Sequence, residues 1–196
     1  MRVSRKKAGE NRDAVIEAAS RLYRERGFEG VGIADIMGAA GLTHGGFYGQ
    51  FRSKRQLAAE ASRLAFSGGL RAWRRVLGGA GGEPGALARF YLSAPHRDTP
   101  GRGCAFAALA ADAARAGPEV QAEFHDATEA YLTQLAPALH ADGASAVDDR
   151  AEAMLMLSTL VGALTLSRAV GGGPLADELL ETVAGRLARP SEGELT

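Results

Sequence analysis

The sequence predicts an all-α protein built from a small N-terminal helical part and a larger helical body. Three observations carry this: β-branched clusters with period-2 alternation are missing, Ala, Leu, Arg and Glu dominate, and glycine and proline breaks punctuate stretches with helical apolar spacing. At 196 residues the chain accommodates one ordinary domain or a small domain joined to a larger one. The first helix is expected over Asn11–Arg26, because Val15, Ile16, Ala19, Leu22 and Tyr23 recur three and four apart and Gly27 follows. Residues 1–10 read as a basic, flexible arm carrying Arg5-Lys6-Lys7. A short helix over Ile33–Ala40 is closed by Gly41, and Leu42-Thr43 leads into a second short helix over His44–Phe51. Ser53 is a good N-cap for a long helix over Lys54–Leu77, which ends in a glycine-rich turn over residues 78–85. Further helices are expected over Ala86–Ser93, Cys104–Ala116, Glu119–His140, Ala146–Val170 and Leu175–Leu187, separated at Pro95, Pro100, Gly117-Pro118, Gly143 and Gly171–Pro174.

Composition narrows the function classes. A hydrophobic fraction of 46% with 23% charged residues fits a soluble globular protein, not a disordered tail. The apolar run Met154–Leu166 is 13 residues long and interrupted by Ser158, Thr159 and Gly162. That is short of the roughly 18 residues a membrane span needs, so it reads as a buried helix or a subunit interface. A single cysteine, Cys104, excludes an intramolecular disulfide and a multi-cysteine zinc site, and it favours a reducing cytoplasm. The basic start is followed by Gly9-Glu-Asn-Arg-Asp13 and no apolar core, so no secretory signal is expected. Zero net charge hides an asymmetry: residues 1–60 hold 11 Lys and Arg against 7 Asp and Glu, and residues 61–196 hold 12 against 16. That split suits an anion-binding module of about +4 attached to a body with another task.

The most informative stretch is Ile33–Phe51, where two short helices joined at a glycine have the layout of a helix-turn-helix. In the second of these helices Phe47 and Phe51 are i and i+4 and face inward. His44 and Tyr48, also i and i+4, share another face and can meet a duplex. Gly45 and Gly46 cost helix propensity, which makes sense if this end approaches a DNA backbone closely.

Over Asn11–Glu60 the chain resembles the DNA-binding domain of the TetR/AcrR family of bacterial transcriptional regulators. The resemblance rests on Tyr23-Arg-Glu-Arg-Gly-Phe28, Ile33-Ala-Asp-Ile36, Ala40-Gly-Leu-Thr43, Phe47-Tyr48 and Phe51-Arg-Ser-Lys54-Arg-Gln-Leu57. It implies a DNA-binding domain over 1–60 and an effector-binding and dimerisation domain over 61–196. It further implies a homodimer, double-stranded operator DNA as partner, and a small-molecule inducer that releases a repressor from its operator. Carried over by position, Thr43 caps the recognition helix, His44 looks into the major groove, Tyr48 holds a phosphate by its hydroxyl and Lys54 holds one by charge. Gln50 reads adenine or meets a phosphate, and Gly45 and Gly46 let the backbones come close. Gly32 and Ala34 stand where many relatives carry hydroxyl and basic residues, and glycines at 45, 46 and 49 leave few side chains for base readout, so DNA shape gains weight.

In the body, Trp73, Phe90, Tyr91, Phe106, Phe124, Tyr131 and Met154 are candidates for lining an effector pocket, although Phe124 and Tyr131 also belong to a helical stripe that any core needs. Leu157, Leu160, Val161 and Leu164 on one late helix, with Leu175, Leu179 and Val183 on the next, make a candidate dimer surface or an internal core. Cys104 at a helix start reads as a packed thiol or as a redox sensor. His125 and Glu129 lie i and i+4 without a third ligand, so no metal is expected. No cofactor is expected beyond the inducer. His96 and Asp98 lie in an expected loop with no nucleophile nearby in sequence. The chain also lacks G-x-S-x-G, H-E-x-x-H and phosphate-loop patterns, so it reads as a regulator and not an enzyme.

Overall fold

The structure is a computed structural model that describes residues 5–79, 83–140 and 145–188. Nine α-helices form in order among the described residues: α1 (Arg5–Arg26), α2 (Ile33–Ala39), α3 (Lys54–Leu77), α4 (Pro84–Tyr91), α5 (Ala94–Asp98), α6 (Ala105–Ala116), α7 (Pro118–Leu135), α8 (Ala146–Ala169) and α9 (Pro174–Leu187). The all-α expectation holds, with no strand among the described residues. Residues 80–82 of the expected glycine turn and the break at Gly143 lie outside the described residues.

Three expectations are corrected. Arg5–Glu10 are the first turns of α1 and not a flexible arm. Nothing in Arg5-Lys-Lys-Ala-Gly-Glu10 forbids helix, since its one breaker, Gly9, has open space around it. Residues 94–98 form a one-turn helix where a loop is expected, because Pro95 sits in the first turn, where its missing N–H costs nothing. The helix expected to reach His140 ends at Leu135 and continues as a 3₁₀ turn over Ala136–Ala138, with Pro137 in that turn.

The chain divides into two compact units, Met1–Gly68 with Pro100–Ala127, and Gly69–Thr99 with Thr128–Thr196, so the divisions fall inside α3 and α7. In the first unit α1 packs on α2 and α6. Its core gathers Val15, Ala19 and Tyr23 of α1 with Ile36, Met37, Phe47, Phe51, Leu57 and Leu109. Gly27 closes α1 at φ +74°, which frees Phe28 to turn inward and lay its ring 5.2 Å from that of Tyr23. The Phe28 N–H donates to the Asp112 carboxylate at 3.1 Å, and the Arg24 guanidinium donates to the Gly103 carbonyl at 2.9 Å. Burial, with Glu29 nearby, pushes the Tyr23 phenol well above its ordinary pKa, so it stays neutral.

In the second unit α8 packs on α9, α9 on α4, and α5 on α8. The Arg168 side chain donates to the carbonyls of His96 at 2.8 Å and Arg97 at 3.1 Å, and Arg97 reaches Asp177 of α9 at 2.6 Å. His96 Nδ1 lies 2.6 Å from the Tyr91 carbonyl, so that nitrogen carries the proton. Burial holds the His96 pKa below the ordinary histidine value; the bond to Tyr91 opposes this and the Arg168 charge adds to it. The unfolded chain therefore takes up a proton near pH 6.5 that the folded chain refuses. Stability is constant above that pH and falls as the pH drops from it toward the lower folded-state pKa. Urea midpoints measured from pH 7.5 to about 5.5 should fall more steeply for the native chain than for His96→Gln. Parallel slopes would contradict this assignment.

The structure divides the candidate dimer residues. Leu157, Leu160 and Leu164 are buried within the chain's own core, and Val161, Leu179 and Val183 are half-buried. The exposed apolar side chains of this region are Val147, Met154, Leu155, Leu166, Val170 and Leu175. Because α8 is apolar on more than one side, helical period alone does not say which leucines face inward.

Candidate nucleic-acid interface

The site is built on the end of α2 and the segment that follows it. Asp35 accepts the Gly32 N–H at 3.0 Å and so closes the start of α2. Gly41, at φ +70°, ends it: the Leu42 N–H donates to the Met37 carbonyl at 2.9 Å and the Gly41 N–H to the Gly38 carbonyl at 3.0 Å. This pair of bonds is a Schellman motif, which needs a left-handed residue at Gly41 and aims the chain sharply into Thr43.

The expected recognition helix over His44–Phe51 is replaced by a 3₁₀ turn over His44–Gly46 followed by turns to Gln50. Bonds from Phe47 N to the His44 carbonyl at 3.1 Å and from Phe51 N to the Phe47 carbonyl at 3.0 Å hold it. Glycines at 45, 46 and 49 are the physical reason, since each forfeits about 1 kcal/mol of helix propensity relative to alanine. A Cβ at Gly45 meets nothing within 4 Å and one at Gly49 meets only the Gly46 carbonyl at 3.7 Å, and neither residue has a positive φ. Gly45→Ala with Gly49→Ala should therefore raise stability by about 1–2 kcal/mol and add helical signal in far-UV circular dichroism. A lower melting temperature would refute that account.

Thr43 occupies the N-cap position in extended conformation, but its hydroxyl makes no capping bond, which corrects its expected capping role. Phe47 and Phe51 point inward, with ring centroids 5.5 Å apart. Tyr48 stands 69% exposed with its ring edge-on to Phe47, and His44 and Gly45 are exposed beside it. Gln50 is half-buried, and its amide nitrogen donates to the Gly46 carbonyl at 3.4 Å. Lys54 starts α3 with its ammonium 3.9 Å from Glu29, and the Ser53 hydroxyl caps that helix by accepting the Gln56 N–H at 3.0 Å. Sequence reading missed Arg12: its guanidinium lies 4.7 Å from the centre of the Phe51 ring and bonds Glu60 at 2.6 Å, tying α1 to the recognition turn and to α3. No local motif announces that contact, because its partners lie 39 and 48 positions away.

The candidate pocket residues separate into two aromatic groups. Phe106 and Phe124 pack with Phe66 in the first unit, at centroid distances of 4.6 and 4.8 Å from it. Trp73, Tyr91 and Tyr131 pack in the second, with Trp73 5.8 Å from Tyr91 and 4.7 Å from Tyr131. Phe90 and Met154 are exposed and line neither group. Cys104 takes the half-buried N-cap position of α6. Glu129 pairs with Arg150 at 2.7 Å and His125 with Asp126 at 3.1 Å, and Asp98 pairs with Arg97 at 2.7 Å. Among the described residues no three metal-ligating side chains cluster, and no helix is long and apolar enough to cross a membrane.

Residues 15–61 match the family model described as bacterial regulatory proteins of the tetR family. Residues 92–174 match one described as the C-terminal domain of LmrA/YxaF-like transcriptional regulators. The chain belongs to the TetR family. It is 29% identical over 93 residues to the HTH-type transcriptional repressor DhaR of Mycobacterium sp. (strain GP1), a match spanning about half of each protein, 47% in both cases. A TetR transcriptional regulator of Chloroflexus aurantiacus shares the fold, with a TM-score of 0.77 at 23% identity over 93% of this chain and 94% of that one. So does AibR, solved in complex with isovaleryl coenzyme A and operator DNA, with a TM-score of 0.62 at 19% identity over 92% and 100% of the two chains. The TetR match over 15–61 contains α2, the recognition turn and the start of α3.

Proposed function

We propose that this TetR-family chain is a ligand-responsive transcriptional repressor that binds a near-palindromic operator as a homodimer in the cytoplasm. The observation that carries the reading is the recognition turn, which buries Phe47 and Phe51 while presenting His44, Gly45 and Tyr48 to solvent. The repressor DhaR among its relatives and the operator complex of AibR support it. Thr43, Tyr48, Gln50 and Lys54 meet the phosphate backbone, His44 reads a base edge, and the glycines at 45 and 46 allow close approach. Residues 1–60 carry this work, and residues 61–196 bind the effector and dimerise. The exposed apolar side chains of α8 and α9, Met154, Leu155, Leu166 and Leu175 among them, are covered by the second copy.

The effector site is assigned to the aromatic group of Trp73, Tyr91 and Tyr131. Gly69 in the middle of α3 has no side chain where the Tyr131 hydroxyl sits, so a ligand that displaces Tyr131 acts directly on α3. That helix runs from the recognition turn at Lys54 to Leu77, roughly 36 Å of continuous backbone. Moving it changes the spacing of two recognition turns that must meet successive major grooves about 34 Å apart. No catalysis, metal or organic cofactor is part of this scheme; the inducer is the one small ligand it needs.

Capture of genomic DNA fragments by the purified protein tests the reading. A palindromic sequence should be enriched, and a compound found by thermal shift should release it. Enrichment of no sequence by folded, dimeric protein, or a bound compound that leaves operator affinity unchanged, would overturn the corresponding half.

A further inference from the structure

Arg12, in the first half of α1, is half-buried and commits its guanidinium to the head's own side chains. It bonds the Glu60 carboxylate at 2.6 Å and lies 4.7 Å from the centre of the Phe51 ring. Glu60 does more than balance that charge. The same oxygen, Oε1, also accepts the side-chain N–H of Gln56 at 3.0 Å. An amide side chain has one donor end and one acceptor end, so holding its donor end fixes where the other end points. Gln56 Oε1 accepts the Arg52 backbone N–H at 2.8 Å. One chain of hydrogen bonds therefore runs from α1 through the start of α3 to residue 52, where the recognition turn ends, and Phe51 beside it lies against the Arg12 guanidinium.

The recognition turn needs support at its exit. Its entry is aimed by the left-handed Gly41, but between His44 and Gln50 three glycines contribute no helix propensity. We infer that Arg12 is a positioning residue for DNA binding: through Glu60, Gln56 and Phe51 it fixes the exit of the recognition turn, and it raises operator affinity without touching the duplex. Order present before binding is order that binding does not have to supply. The effect on affinity rests on the DNA-binding reading proposed above, whereas the effect on residue 52 does not.

The test uses the full chain carrying Arg12→Met, which removes the ion pair and the cation over Phe51 and keeps an unbranched stem. Fluorescence anisotropy against a duplex captured from genomic DNA, at a temperature where circular dichroism shows the variant fully folded, should give about tenfold weaker binding. The slope of log affinity against log salt should stay native because no phosphate contact is lost; a direct contact would lower it by about one per half-site. Glu60→Leu should bring a similar loss, and Glu60→Gln, whose amide oxygen can accept both bonds, should restore most of it. Arg12→Met combined with Gln56→Leu should lose little more than either alone, as expected for members of one chain of bonds. Without DNA, amide exchange in Glu60→Leu should quicken more at Arg52 than at Ala18 and Ala19 in the buried middle of α1. Native affinity in Arg12→Met, or a loss accompanied by a lower salt slope, overturns the positioning role. Equal quickening at Arg52 and in α1 marks a general stabiliser and overturns it too. If Arg12→Met does not fold, the contrast between Glu60→Leu and Glu60→Gln decides. If the native chain captures no duplex, the DNA reading fails before any variant is compared, and exchange at Arg52 alone decides whether the chain of bonds fixes the turn's exit.

Discussion

Replacing Tyr48 and Lys54 together by alanine will lower operator affinity by about a hundredfold per half-site while leaving the fold intact. Each side chain is assigned one bond to a charged phosphate oxygen, worth about 1.5–3 kcal/mol, and two such bonds at the lower end of that range give roughly that factor. Folding is spared because Tyr48 is 69% exposed and the Lys54 ion pair with Glu29 is a long surface contact of 3.9 Å. The two singles separate by salt. Lys54→Ala should reduce the slope of log affinity against log salt by about one per half-site, about two for the dimer on its operator, and Tyr48→Ala should leave that slope alone because a phenol releases no counterion. His44→Ala differs again, changing preference at particular bases where the other two weaken all sequences together. Fluorescence anisotropy on a captured operator at several salt concentrations reads all three. Native affinity in the double variant would remove both residues from the interface.

Phe47→Ala is expected to be the most destabilising of the substitutions in the head, although Phe47 is fully buried and would touch no DNA. Its ring stacks on Phe51 at 5.5 Å and supports Tyr48 edge-on at 5.2 Å. Deleting a buried phenyl ring costs about 3–5 kcal/mol, a large share of the roughly 5–15 kcal/mol that holds a domain together. The recognition turn has little else to fall back on, since its glycines contribute no helix propensity and its backbone bonds are few. Urea unfolding should therefore show a large drop in midpoint, with operator binding lost alongside it. Tyr48→Ala, one residue away, should lose DNA and keep stability. A stability loss under about 1 kcal/mol in Phe47→Ala would mean that the turn is not anchored through this ring.

The elements of the head were legible because their signals are local. Gly27 and Gly41 take the left-handed backbone that ends a helix, Ser53 caps α3, and Phe47 and Phe51 turn inward while His44 and Tyr48 stay exposed. The conformation between His44 and Phe51 departs from the helical expectation for a reason also present in the sequence. Three glycines outweigh a helical apolar spacing when the segment is only eight residues long, because so short a helix has no propensity to spare. The start of α1 differs in the opposite sense: its basic segment suggests an arm, yet its residues are ordinary helix formers and extend the helix.

What the sequence determined by itself is the helical class and the order of elements, consequences of capping and of a period of 3.6, and which residues of the recognition turn face inward and outward, which follows from their apolar or polar character. What only the tertiary structure decided is the choice among equivalent apolar faces and the meeting of distant residues. Leu157, Leu160 and Leu164 turn into the core while Met154, Leu155 and Leu166 remain exposed, a distinction that a helix apolar on several sides does not encode. Seven candidate pocket residues resolve into two aromatic groups with Phe90 and Met154 outside both, and Arg12 finds Phe51 and Glu60. These features depend on which surfaces remain after packing, and packing is settled by all the helices at once, not by any stretch of chain read alone.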